Sequence, residues 1–169
     1  MTSPTALPSA AHARRSSPLV RVVEAAIALC RRIPHSLVAF IGRFSIAAVF
    51  WKSGQTKVEG FVIDLIDGQF NLGWPRLSDS ALALFKDEYR LPLISPEIAA
   101  PMAAFAEHAL PLLILLGLGT RFSALGLLVM TLVIQVFVYP GAYPTHGVWA
   151  TVLLYLIAKG PGVMSVDHL

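Results

Sequence analysis

SPEIAAPMAAFAEHALPLLILLGLGTR, residues 95–121, is the stretch on which the fold turns. Ser95 suits an N-cap, Pro96 the first helical position, and Glu97 the turn where the helix dipole favours negative charge. Residues 98–118 then supply about twenty positions, enough to cross a hydrocarbon core of roughly 30 Å. Glu107 and His108 alone interrupt the apolar run, near its middle. An ionisable side chain at that depth costs roughly 2.5–3.5 kcal/mol on insertion scales and calls for a partner or a cavity. Pro111, four residues after Glu107, has no N–H to offer the Glu107 carbonyl, so a charge and a freed backbone acceptor coincide.

The rest of the chain agrees with a membrane reading. Of 169 residues, 56% are apolar and 14% charged, against about 25% charged in ordinary soluble domains. Mean hydropathy is +0.68. The net charge of +3 and the lack of a basic run interleaved with aromatics argue against nucleic-acid binding. The single cysteine, Cys30, excludes an intrachain disulfide, a CxxC redox pair and a thiolate metal site. Redox chemistry would therefore depend on a bound cofactor, a partner protein or a quinone.

Residues 1–18, rich in Pro, Ser, Ala and Thr, read as a disordered tail; Arg14-Arg15 lacks the apolar core of an export signal. Residues 19–35 read as an amphipathic helix on the membrane surface, stopped by Pro34. Residues 36–169 read as the transmembrane domain, with spans over 37–53, 98–118, 122–139 and 146–158. A structured exterior loop at 54–94 carries a short helix near 80–89, capped by Asp79 or Ser80. The expected fold is all-α, a four-helix transmembrane bundle with an amphipathic N-terminal helix. Arg14, Arg15, Arg21, Arg31, Arg32, Arg121 and Lys159 would share one side, which places both termini in the cytoplasm.

Arg43, then FWKSGQTK at 50–57 and LFKDEYRLPLISPEIAA at 84–100, begin a series of matching pieces. AEHALPLLILLGLGTRFSALGLLVMTLVIQVFVYP at 106–140, HGVW at 146–149 and KGPGVMSVD at 159–167 complete it. In order and spacing these resemble the DoxX family of small bacterial four-helix membrane proteins over about residues 40–167. The resemblance implies an inner-membrane protein associated with oxidoreductases; relatives include subunits of a thiosulfate:quinone oxidoreductase, and others accompany oxidative or metal stress. It carries no established catalytic residues, and the chain shows no redox group of its own.

The candidate intramembrane polar site is Arg43, Glu107, His108 and Gln135. At about 1.5 Å per residue, Arg43 lies roughly 9 Å and Glu107 roughly 13–16 Å from the same side, so an ion pair between them is one expectation and a snorkelling Arg43 the other. Lys52, Lys57, Tyr139, His146 and Trp149 form a candidate exterior interface, the lysines as solvated loop charges or as a gate. Haem ligation by His108 and His146 is disfavoured because their depths differ, and His108, Glu107 and Gln135 make a sparse metal set. A quinone pocket fits better: His108, Gln135, Tyr139 and Trp149 offer donors and Glu107 a carboxylate. The alternative is that these groups bond one another and only fix the bundle. Two functions follow: an accessory or quinone-interacting subunit of a membrane redox or stress-response complex, with lipid and a protein partner or second copy around it, or a component of a small-solute or metal-stress transporter.

Overall fold

The computed structural model describes residues 17–64 and 68–169. Most of the expected tail, 1–16, lies outside the described residues. Two units are present, divided between Pro34 and His35. In the first, Ser17 caps helix α1 (Pro18–Cys30) by accepting from the Val20 N–H at 3.4 Å, and no residue of α1 is buried. Leu19, Val22, Val23 and Ile27 recur at helical spacing along one exposed face.

The second unit is built on α2 (His35–Gln55), α4 (Pro96–Leu116), α5 (Thr120–Val133) and α6 (Tyr143–Lys159), with a short α3 (Asp79–Leu84) before α4. Helix α2 packs on α4, α4 on α5, α5 on α6 and α6 back on α2, which closes a ring. Three helical stretches are long and apolar enough to cross a membrane: His35–Gln55, Pro96–Leu116, and α5 with its π-helical continuation, Thr120–Val138. Ala39, Ile46, Ala47, Phe50, Ile114, Ala124, Leu127, Leu153 and Leu156 meet at the centre of the ring. Small residues let the helices approach, as apolar surroundings require of helix pairs that gain nothing from expelling water. A Cβ on Gly42 would stand 3.3 Å from Val152, and one on Gly126 2.9 Å from Leu110.

The chain is not all-α. The expected exterior loop contains an antiparallel hairpin, β1 (Val58–Asp64) and β2 (Gln69–Leu77), in which Phe61 pairs with Leu72 and Ile63 with Phe70. The alternation of Phe61 and Ile63, then of Phe70, Leu72 and Trp74, is a strand pattern that the intervening Gly and Pro obscured. The register breaks at Gly60, whose φ of +80° and close approach to the Trp74 carbonyl leave no room for a side chain. The hairpin is tied to the last turns of α2: Trp51 Nε1 donates to the Ile63 carbonyl at 3.0 Å, and the Ile63 N–H donates to Gln55 at 2.8 Å.

Helix α3 begins one residue earlier than expected. Ser78 caps it, accepting from the Ala81 N–H at 3.1 Å, and the helix loosens into a π turn over Phe85–Tyr89. Beyond α6 the chain folds back across the ends of α2, α4 and α5. The Asp167 N–H donates to the Gly117 carbonyl and the Val163 N–H to Ser36 Oγ. This strap holds Arg43.

Candidate functional site

Lys57 follows α2 by two residues, and its ammonium turns back over the helix end, donating to Ser53 O at 3.3 Å and Ser53 Oγ at 3.1 Å. It stands 2.8 Å from Oε2 of Glu107 on α4, and both side chains are 4% exposed. Ser53 Oγ in turn donates to Glu107 Oε1 at 3.1 Å. The Lys57 ammonium is the partner of Oε2, which is buried and has no other group against it among the described residues. Such close approach of α2 and α4 needs Gly54, where a Cβ would lie 2.9 Å from the His108 ring and 3.1 Å from Glu107 Cβ. The carboxylate thus gains a cation that mid-helix burial demands.

The pair borders a half-open cavity of about 810 Å³ between α2, α4 and α5, reached by the start of α6. Its walls are largely apolar, with Ala99, Met102, Ala103, Gly126, Met130 and Ile134 among them. Polar groups enter at Lys57 and Glu107, at Tyr89 and Tyr139, and at His146. Both π-helical segments contribute: Phe85 and Tyr89 from one, Ile134 and Val138 from the other. Segments of this kind recur at functional sites because the extra residue turns a side chain out of register.

Tyr89 and Tyr139 meet edge to face at the cavity wall, ring centroids 5.8 Å apart, and Tyr139 Oη donates to Glu88 Oε1. That bond, with burial second, raises the Tyr139 hydroxyl well above its usual range; burial foremost raises Tyr89. Both hydroxyls stay protonated at neutral pH, and that of Tyr139 is committed to Glu88.

The two histidines separate clearly. His108 Nδ1 donates to the Ala104 carbonyl at 2.7 Å, and its Nε2 accepts from Gln55 Nε2 at 2.8 Å, a polarity set because Gln55 Oε1 already takes the Ile63 N–H. Both ring nitrogens are used, and His108 braces the hairpin against α4. His146 Nδ1 donates to Gln135 Oε1 at 2.7 Å, while Gln135 Nε2 donates to the Pro140 carbonyl at 2.7 Å and so fixes the amide. His146 Nε2 is left as an acceptor on a ring that borders the cavity. Trp149 packs at a tilt against both His146 and Phe50, ring centroids 5.0 and 5.5 Å away.

Several expectations change. Arg43 and Glu107 do not pair: Arg43 Nη1 donates to the Pro161 and Met164 carbonyls at 3.1 and 2.7 Å, and Nη2 to Leu115 at 3.0 Å. Leu115 lies eight residues beyond Glu107, about 12 Å along the helix, so the arginine belongs to the opposite end of the bundle. Lys57 is neither solvated nor a rim charge but the partner of Glu107, and Lys52 remains exposed at the cavity edge. Gln135 orients His146 from behind. Ser53 and Tyr89 were not singled out. The signal was the run Ser53-Gly54-Gln55-Thr56-Lys57, in which a small hydroxyl and a lysine lie four residues apart at a helix end.

The DoxX family model matches residues 38–140, which contain α2 from Val38 onward, the hairpin, α4 and α5. No curated protein and no solved structure matches the chain.

Proposed function

The chain belongs to the DoxX family, and from that premise we propose that it is an accessory subunit of a membrane redox or stress-response complex that binds a quinone in the cavity beside Lys57 and Glu107. In this reading α2, α4, α5 and the shorter α6 all cross the bacterial inner membrane, both termini face the cytoplasm, and the hairpin side faces outward. The observation that carries it is a cavity of about 810 Å³, within the range of small-molecule sites, with apolar walls and one buried ion pair.

A quinone would supply reversible two-electron, two-proton chemistry to a partner protein. The chain's own part is to orient and to handle protons. Lys57 Nζ, held by Ser53 and Glu107, can donate to a carbonyl oxygen of the ligand by giving up its long contact to the Ser53 carbonyl. Glu107 Oε2 can accept a proton beside it, and His146 Nε2 offers a second acceptor. The residues below the cavity favour this over transport. Ile46, Ile114, Leu127, Leu153 and Leu156 are fully buried against one another, and such a layer provides no polar path for a solute.

Titration of the detergent-purified protein with a short-chain quinone should quench the fluorescence of Trp149 saturably, and solvent extraction followed by mass spectrometry should recover bound quinone. Lys57→Met and Glu107→Gln should each weaken binding about tenfold, as loss of one hydrogen bond to a charged group implies. Quenching that stays linear in quinone concentration and is indifferent to both substitutions would sink the assignment.

A further inference from the structure

A second cavity, of about 590 Å³, opens at the other end of the same unit, between the start of α5, the end of α6, His35 and the C-terminal strap. Arg121 and Lys159 border it, with His35 and His168 beside them. Among the described residues neither the Arg121 nor the Lys159 side chain has a hydrogen bond or ion pair. The one acid in the lining is Asp167, and both of its carboxylate oxygens are taken, by the Gly119 N–H at 2.6 Å and the Thr120 N–H at 2.9 Å. The α5 N-terminus is thus already satisfied from within, while the two cations are not.

The walls are held in place. The Arg121 guanidinium lies over Gly160, where a Cβ would come within 3.5 Å of Nη2. The strap that forms the floor is fixed by Arg43 on the Pro161 and Met164 carbonyls and by Ser36 on the Val163 N–H. Two exposed cations from different helices border the same open cavity and match the several oxygens of a phosphate better than the single edge of a carboxylate.

We propose that this cavity binds a phosphate group through Arg121 and Lys159, the source being the headgroup of an anionic lipid. In the membrane placement proposed above for α5 and α6, on which this source rests, both cations sit at helix ends, the depth at which lipid phosphates lie. The proposal is independent of the quinone cavity.

Native mass spectrometry of the detergent-purified full chain, titrated with phosphatidylglycerol, tests it. Arg121→Gln combined with Lys159→Gln should lower affinity about tenfold or more, and the charge-keeping pair Arg121→Lys with Lys159→Arg should retain it. Arg76→Gln with Lys86→Gln, two exposed cations at the hairpin end, serves as the control. Loss confined to the Arg121/Lys159 pair and unaffected by millimolar inorganic phosphate assigns the site to a lipid headgroup. Displacement by inorganic phosphate, lost in the same variant, assigns the same site to a soluble phosphate. Unchanged lipid and phosphate binding in the Arg121/Lys159 variant, or an equal loss in the control, overturns the proposal.

Discussion

Arg43 at one end of the bundle and Lys57 at the other are both nearly inaccessible, at 2% and 3% exposure, yet their partners differ in kind. Arg43 faces three backbone carbonyls, neutral acceptors that cannot take up a proton, drawn from α4 and from a strap that closes over it. Lys57 faces a carboxylate at the edge of a cavity. A planar fork with fixed donors suits a closed site of carbonyls, and a single mobile ammonium suits a place where the acceptor can change. Burial of charge in an apolar bundle therefore does not by itself mark a site; what the charge faces does.

The largest effect should come from the closed end. Arg43→Ala removes three charge-assisted hydrogen bonds, each worth about 1.5–3 kcal/mol, two of them to the strap. Unfolding in detergent should show a loss of about 4–6 kcal/mol, together with faster proteolysis after residue 160. A loss below about 1 kcal/mol would mean that the arginine snorkels to the interface, and the contrast between the two ends would collapse.

At the open end, Lys57→Ala or Glu107→Ala leaves one buried charge stranded, at a cost of about 3–5 kcal/mol. Here, unlike at Arg43, the partner is a side chain and can be removed too. Lys57→Leu with Glu107→Leu should recover most of that stability, because two desolvated charges give way to packing, while saturable quinone quenching should stay abolished. Strict additivity of the single effects in the cycle would show that the two residues do not interact.

How much of this the sequence displayed differs between the ends. The apolar spans over α2, α4 and α5 were legible from length and composition, and Glu107 stood out as an ionisable residue within one of them. Its partner did not, because Lys57 lies past the helix end and reads as a loop charge until Gly54 and Ser53 are seen to bring α2 onto α4. Arg43 was matched to a charge because sequence patterns show charges and hide carbonyls. Its acceptors at Pro161 and Met164 are more than a hundred residues away on an irregular strap with no periodicity to detect. The hairpin was hidden for a related reason: its glycines and proline, the marks of a loop, are what its irregular register requires.

Close approach at the two ends can be compared directly. Gly117 has φ +70°, and an added Cβ would come within 2.4 Å of Ser165 Cβ and 2.9 Å of its backbone. Gly54 is helical, and a Cβ there would meet the His108 ring at 2.9 Å. Left-handed strain of about 1–2 kcal/mol plus displacement of the strap should make Gly117→Ala cost about 2–3 kcal/mol. Gly54→Ala should cost about 1–2 kcal/mol, since the obstacle is a side chain, but it should also separate Lys57 from Glu107 and weaken quinone quenching. Equal stability losses, with binding untouched in both, would remove Gly54 from the site.

The smallest effect concerns Asp167, which ties the strap to α5. Burial acts to raise its carboxyl, but the Thr120 and Gly119 N–H groups outweigh that, with Arg43 contributing, and hold it below the usual carboxylate range. A carboxyl depressed in the folded state stabilises the fold fully above its unfolded value, about 3.9, and loses that contribution as pH falls through the lower folded value. Asp167→Asn keeps one acceptor for the helix N-terminus and removes the charge, so at pH 7 the loss should be about 0.5–1 kcal/mol, reduced by the exposure of the group. The distinguishing readout is the acid limb rather than the size of the loss. Between about pH 5 and pH 2 the parent chain should lose this increment and converge on the stability of Asp167→Asn. Parallel curves over that range would show that the carboxylate contributes nothing to the strap, which Arg43, Ser36 and the Gly117 carbonyl would then hold without it.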